Sequence, residues 1–420
     1  MSVFNHKIIL VSILIILFLN TCGLCGGVTD KPLTLYDSIS LAMDNNEVVK
    51  MQLESISQAR QRKHQAGGEV LPSLSFNLDR FFRDKNDNIV TGSGTDSGFS
   101  LTQPLFYGGQ NLKAIELSKV DIRMEELQLK NIIRKLDFDV AGAFYTLAQA
   151  QANFKNTTES MDMMLTREKE LTDRVRLGKS RQSELYMLES QVALLRSRIE
   201  GIKGDYAKAL EALAFVIGTS TAVTISDTLP QPQATEPVDK ITERAMSRSD
   251  IQGAKNAITE QSLMVRIARA GYLPSLYATG SLYTTSTRSG VLSGSTWDVN
   301  LLLDVPLFQG GIIRAQVGEE LSKLDEAKIA LALATRELVT EIRGLHLSLE
   351  SSIAQAAALT DAYDKAKKSY DLQLADYRFG LCNNIDVVQA ALTLLDVKSS
   401  FDRAVIETKL YKALMDIAVK

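Results

Sequence analysis

Residues 71–109 read LPSLSFNLDRFFRDKNDNIVTGSGTDSGFSLTQPLFYGG, and residues 273–311 read LPSLYATGSLYTTSTRSGVLSGSTWDVNLLLDVPLFQGG. Leu71-Pro72-Ser73-Leu74 recurs as Leu273-Pro274-Ser275-Leu276, and Pro104-Leu105-Phe106 before Gly108-Gly109 recurs as Pro306-Leu307-Phe308 before Gly310-Gly311. The offset is the same in both cases. Leu177-Gly178 against Phe379-Gly380 and Glu184-Leu185 against Asp386-Val387 keep that register further along, so the chain reads as two tandem copies. Their expected bounds are 33–218 and 239–420, with 219–238 as an extended linker marked by Pro230, Pro232 and Pro237.

Inside each quoted stretch the apolar period is two. Leu74, Phe76 and Leu78 alternate with Ser73, Ser75, Asn77 and Asp79, while Trp297, Val299, Leu301 and Leu303 alternate with Asp298, Asn300 and Asp304. A polar, Gly-rich segment separates two such runs in each copy, which predicts hairpins over about 71–105 and 273–307. Strands of about 9–11 residues suffice to cross a bilayer when tilted. Four strands cannot close alone in hydrocarbon, so several chains must combine; three give 12 strands, the smallest multiple of four that leaves an open lumen. Phe81, Phe82, Tyr277, Tyr283 and Trp297 are candidate interfacial aromatics.

Outside the inserts the chain reads as helix. Proline is absent between Pro104 and Pro230 and again after Pro306. The stretches following Gly109 and Gly311 are rich in helix formers and run for nearly 70 residues in each case. Leu185, Val192, Ile199, Tyr206 and Leu213 fall seven apart, with Leu188, Leu195, Ile202 and Ala209 three residues after the first four. The second copy repeats the seam at Val387, Leu394, Phe401 and Met415, with Ala390, Val397, Ala404 and Tyr411, and Leu324, Leu331, Leu338 and Leu345 form another row. Strict sevens favour coiled helices over isolated amphipathic ones, which drift by about 20° per heptad.

Composition narrows the function. Lys+Arg 47 against Asp+Glu 50 leaves a charge of −3 and no net attraction to nucleic acid. Residues 1–27 have the order of a secretory signal: Lys7, an apolar run from Ile8 to Leu19, then small residues around Cys22 to Gly27. Leu19 lies three before Cys22, as in lipidated proteins, but Thr21 stands where a smaller residue is usual. The rest of the chain keeps Cys382 alone, with His64 and His346, which is too few for an intrachain disulfide or a His/Cys zinc site. Gly178-Lys179-Ser180 lacks the earlier glycine of a phosphate loop, Asp173 standing in its place, and Asn156-Thr157-Thr158 is a sequon set in a helix. No nucleophile constellation is present, so an enzyme is not expected and no cofactor is implied.

This arrangement, over essentially the whole exported chain, resembles the TolC-like outer-membrane efflux channel family. The most specific residues are the Leu-Pro-Ser-Leu starts, the Pro-Leu-Phe and Gly-Gly barrel exits, and Tyr377-Arg378-Phe379-Gly380 followed by Asp386-Val387-Val388 and Ala390. The resemblance implies a mainly α protein with a β-barrel part: a homotrimer whose 12-stranded transmembrane barrel stands on an α-helical periplasmic tunnel. It further implies an outer-membrane location in a Gram-negative-type bacterium and a passive role in tripartite efflux or type I secretion. The implied partners are outer-membrane lipid, a periplasmic membrane-fusion adaptor and an inner-membrane RND, ABC or MFS pump. A periplasmic coiled-coil scaffold or adhesin without a channel is the alternative.

The expected periplasmic gate comprises Asp386, its first-copy equivalent Glu184, Tyr377 and Gln389, with Gly178 and Gly380 in the tip turns. The barrel-to-helix turns are Pro104, Gly108, Gly109, Pro306, Gly310 and Gly311. Gln389 and Cys382 occupy places where family members often carry a second acid and an arginine. Asp386, following Asn383-Asn384, is expected in a first helical turn, where a carboxylate caps N–H groups. Around a threefold axis it would also form a carboxylate ring, and such rings retain cations. Arg176, Arg181 and Arg378 are expected to hold the tips together by ion pairs.

Overall fold

The computed structural model describes residues 32–83, 92–219, 223–287 and 293–420. The signal segment 1–27, with Cys22 and Cys25, and much of the two Gly-rich hairpin segments lie outside the described residues, as do the side chains of Phe81, Phe82 and Tyr283. The elements are α1 (Leu35–Asn45), α2 (Glu47–Gly68), β1 (Ser73–Arg83), β2 (Gly92–Tyr107), α3 (Gln110–Arg176), α4 (Gln182–Ile217), α5 (Val238–Ala245), α6 (Ser249–Ala270), β3 (Ser275–Thr287), β4 (Ser293–Asp304), α7 (Ile312–Arg378) and α8 (Asn384–Ala418). α2 and α6, and likewise α3 and α7, begin and end at the offset of the sequence repeat.

Two helices precede each hairpin. The first pair is divided at Asn46, whose extended backbone (ψ 126°) stops α1 while its side chain accepts from Val48 N–H at 2.9 Å and starts α2. α1 itself opens on a capping box between Thr34 and Asp37.

The strands form one antiparallel sheet in the order β1-β2-β3-β4, which leaves β1 and β4 as edges. Its register sorts side chains by row. Leu74, Leu101, Gly280 and Val299 lie in one row and Phe76, Phe99, Leu282 and Trp297 in another, on the same face. Ser73, Thr102, Thr279 and Asn300, then Ser75, Ser100, Ser281 and Asp298, make rows on the opposite face. Trp297 is 73% exposed and Leu301 68%, so the apolar face lies open instead of packing on helices. Pro104 stands inside β2 at a bulge before Phe106, and the strand continues to Tyr107. The bulge accommodates the missing N–H and moves the first strand-to-helix passage past the proline; Pro306 in the second copy does follow the end of its strand.

α3 and α7 each run 67 residues without interruption, about 100 Å at 1.5 Å per residue. Among the described residues, no helix is long and apolar enough to cross a membrane. α3 is the hub of the helical part. Nearer the sheet it packs against α2 and α6, with α6 between it and α7; farther out it lies between α4 and α8, and α7 flanks α8. The heptad seam of α4 is buried at Leu185, Leu188, Val192, Leu195, Ile202, Ala209 and Leu213. On α8 the seam is buried at Val387, Ala390, Ala404 and Met415, while Phe401 is half-buried and stacks on Tyr363 of α7, ring centres 5.7 Å apart.

The largest core gathers Phe144, Tyr145 and Leu147 of α3 with residues of α1, α4 and α8. Across it the linker crosses as extended chain, tied by a parallel bridge between Leu33 and Ile225 and by the Lys409–Asp227 ion pair at 2.7 Å. A second core joins the far ends of α3, α4 and α8 through Met161, Met164, Leu171, Leu188 and Leu395. Polar links fasten α3 to α8 beside it: Lys398 to Glu159 at 2.6 Å and Asn156 to Asp402 at 2.5 Å.

Candidate functional site

The end of the helical part far from the sheet holds the predicted gate residues. Each hairpin of long helices turns there on a glycine with positive φ, Gly178 at 70° and Gly380 at 77°. Lys179 N–H donates to Arg174 C=O at 2.8 Å and Leu381 N–H to Asp376 C=O at 2.9 Å. This six-to-one closure requires a left-handed residue inside it, hence glycine at both turns. After each turn the next helix starts, α4 at Gln182 and α8 at Asn384.

Asp386 is the third residue of α8. Its carboxylate accepts from Asn383 N–H at 3.2 Å, and Asn383 Oδ1 accepts from Asp386 N–H at 3.1 Å. The pair is a full capping box, so the expected capping geometry is present, and Asp386 remains exposed beside exposed Gln389. Glu184 has the equivalent first-turn position in α4 without a side-chain cap. Cys382 is half-buried, its thiol donating to Gln373 C=O at 3.3 Å; burial, then the carboxylates of Asp386 and Asp376, push its pKa upward.

Tyr377 has a different setting. It is buried, and the guanidinium carbon of Arg167 lies 3.8 Å from its ring centre, with that of Arg174 at 4.4 Å. Arg167 also donates from Nε to Asn384 Oδ1 at 2.9 Å and from Nη1 to Glu170 at 2.8 Å. One side chain of α3 therefore touches α7 and α8 together. Arg167 Nη2, the Tyr377 hydroxyl and Asn384 Nδ2 are buried without protein partners, so the cluster holds unspent hydrogen-bonding capacity that is costly in a closed site.

The tip arginines thus differ from expectation. Arg176 pairs with Asp173 inside its own helix at 3.1 Å, with both side chains well exposed, and Arg167 and Arg174 make the contacts with the second copy. A signal existed for Arg167: it continues the buried stripe of Thr157, Ser160, Met161, Met164 and Leu171, where a cation needs a specific partner.

At the other end Gly108, Gly109, Gly310 and Gly311 all have positive φ, and Gly109 and Gly311 immediately precede α3 and α7. Gly108 has a second constraint, since a Cβ there would meet Ala270 O at 2.6 Å. His64 is exposed on α2, and His346 is buried with Nε2 3.0 Å from Glu236 O. Among the described residues, no group of three His, Cys, Asp or Glu side chains is placed to hold a metal ion.

The family profile of outer membrane efflux proteins matches residues 38–219 and 242–404. The chain belongs to the outer membrane efflux protein family. It is 22% identical over 364 residues to outer membrane protein TolC of Salmonella enteritidis, covering 82% of this chain and 73% of that protein. Among solved structures, CusC aligns with TM-score 0.82 at 17% identity over 92% of this chain and 91% of CusC. The Campylobacter jejuni CmeC outer membrane channel aligns with TM-score 0.80 at 18% identity over 92% of this chain and 85% of CmeC. The efflux protein is accordingly an outer-membrane protein with a large periplasmic helical portion, in a family of channels.

Proposed function

We propose that three copies of this chain close a 12-stranded barrel in the outer membrane above a helical tunnel, and that the assembly is the passive exit duct of a tripartite efflux or type I secretion system. One observation carries the reading: a four-stranded sheet with an open apolar face, an opposite polar face and two unpaired edges stands on helices of 67 residues. Edge N–H and C=O groups are not tolerated in hydrocarbon, so β4 of one copy must pair with β1 of the next. In the tunnel wall the order α7, α8, α3, α4 within a copy sets α4 against α7 of a neighbour.

On this reading residues 1–27 direct export, 33–218 and 239–420 are the two repeats, and 219–238 is the strap between them. A periplasmic adaptor and an inner-membrane RND, ABC or MFS pump supply cargo and energy at the tip. Asp386, with Glu184 and Gln389, lines the inner gate, and Tyr377 is clamped there by Arg167.

Fractionation, detergent extraction and planar-bilayer recording test the assembly together. The expected result is a heat-modifiable trimer from the outer membrane that conducts ions. A soluble or monomeric species without conductance overturns it and favours the scaffold alternative.

A further inference from the structure

The polar face of the sheet changes character at its helical end. The two rows Ser73, Thr102, Thr279, Asn300 and Ser75, Ser100, Ser281, Asp298 hold only Ser, Thr, Asn and Asp, but the row below them consists of Pro104, Tyr277 and Leu302, and the next of Tyr107, Ser275 and Asp304. The bulge after Pro104 is what brings Tyr107 onto this face. Tyr107 and Tyr277 meet edge to face, ring centres 5.8 Å apart, and Leu302 is 58% exposed beside them. Asp304 shares the row of Tyr107, and Asp298 lies one row above Asn300.

Apolar side chains on this face are not required for sheet pairing, since the two rows directly above the patch are built from Ser, Thr, Asn and Asp. In a soluble core they would be covered; here Tyr107 is 39% exposed. Resting on the trimeric channel reading, we propose that Tyr107, Tyr277 and Leu302 of three copies form an aromatic collar at the base of the barrel lumen that receives organic cations with an aromatic or flat apolar body. Ring faces attract cations, the apolar surface receives the body, and the carboxylates of Asp304 and Asp298 bias the lumen toward positive charge. An aliphatic cation gains less from the same collar and an anion is disfavoured. Cargo of this class would pause at the passage from tunnel to barrel.

The test is single-channel recording of the purified trimer with tetraphenylphosphonium, against tetraethylammonium as the aliphatic comparison. Wild type should be blocked at lower concentration by tetraphenylphosphonium. The double variant Tyr107→Leu/Tyr277→Leu, which keeps apolar bulk, should need about tenfold more blocker, given that an exposed cation–π contact changes affinity severalfold. Tyr107→Phe/Tyr277→Phe should block like wild type, because the ring face acts and not the hydroxyl. Equal block of wild type and the Leu variant by tetraphenylphosphonium overturns the collar while leaving the channel intact. Absence of conductance in wild type overturns the channel reading itself. Heat-modified migration of each variant verifies assembly, and if the Leu pair fails to assemble, Tyr277→Leu alone must still weaken the block by about two- to fivefold.

Discussion

Arg167 of α3 stacks on Tyr377 of α7 at 3.8 Å while its Nε holds Asn384 of α8. The contact joins the two copies of the repeat at the point where their helices turn. A guanidinium can stack and donate in its plane at once, and an ammonium cannot. Arg167→Ala should loosen the tip at a cost of about 1–3 kcal/mol, the range for leaving a buried partner unsatisfied. The expected outcome is larger and more frequent opening in planar-bilayer records, with Arg167→Lys no better than Ala. Unchanged conductance in both variants would exclude the clamp from gating.

Asp386→Asn separates two roles of one carboxylate. The amide oxygen still accepts from Asn383 N–H, so α8 should keep its start and the trimer its thermal stability. A trivalent cation added on the periplasmic side should block wild type strongly and the variant weakly, because a ring of close carboxylates binds multivalent cations. Equal block in the two proteins would leave Asp386 as a cap alone.

The sheet makes opposite demands on adjacent residues. Leu301 shares its face with Val299 and Trp297, and Asn300 lies on the other. Leu301→Arg should reduce trimer yield, at about 2–4 kcal/mol if it sits near the bilayer midplane. Asn300→Arg should assemble normally. Heat-modified migration from membrane extracts reads both.

Cys382 offers a chemical probe of the tip. With its pKa raised by burial and by Asp386 and Asp376, it should react slowly with iodoacetamide at neutral pH. Asp386→Asn removes one of those carboxylates and should increase the rate modestly, whereas Glu184→Gln, which is not among the groups acting on the thiol, should leave it unchanged.

Asp137 is buried on α3, with Lys420 only 3.8 Å away on the outside and Oδ1 unpartnered. Burial raises its pKa above the ordinary carboxyl value. The native protein therefore holds the proton more tightly than the unfolded chain, and this group's contribution to stability falls as pH rises from the unfolded to the folded pKa. Asp137→Asn should raise the unfolding temperature at neutral pH, with the gain shrinking as pH drops through that window. A lower temperature at neutral pH would mean the Lys420 contact outweighs burial.

What was legible in the sequence is what repeats. Proline-free runs, strict sevens and alternation over Trp297–Leu303 each express one local periodicity, and each lies on an observed element. The division at Asn46 is hard to read because it rests on one side chain rather than a breaker, although Asn46 ahead of Glu47 is an ordinary cap pattern. Pro104 reads as a strand end in sequence, since the bulge that tolerates it is a property of pairing with β3. Arg167 does not stand out in the sequence because a cation among the many charges of α3 gains meaning only when α7 and α8 close over it. Asp386 was reachable because its capping partner is three residues away.

The equal, uninterrupted length of α3 and α7 has a bearing on how this protein can change over time. One residue inserted in α7 alone would rotate everything beyond it by about 100° and displace its tip by about 1.5 Å, turning Tyr377 away from Arg167. Seven residues would preserve the helical phase yet leave one hairpin about 10 Å taller than the other. Only matched insertions in both long helices keep the turns at Gly178 and Gly380 level. The chain thus carries its ruler twice, and the distance it spans can be reset only by two coordinated edits to the gene.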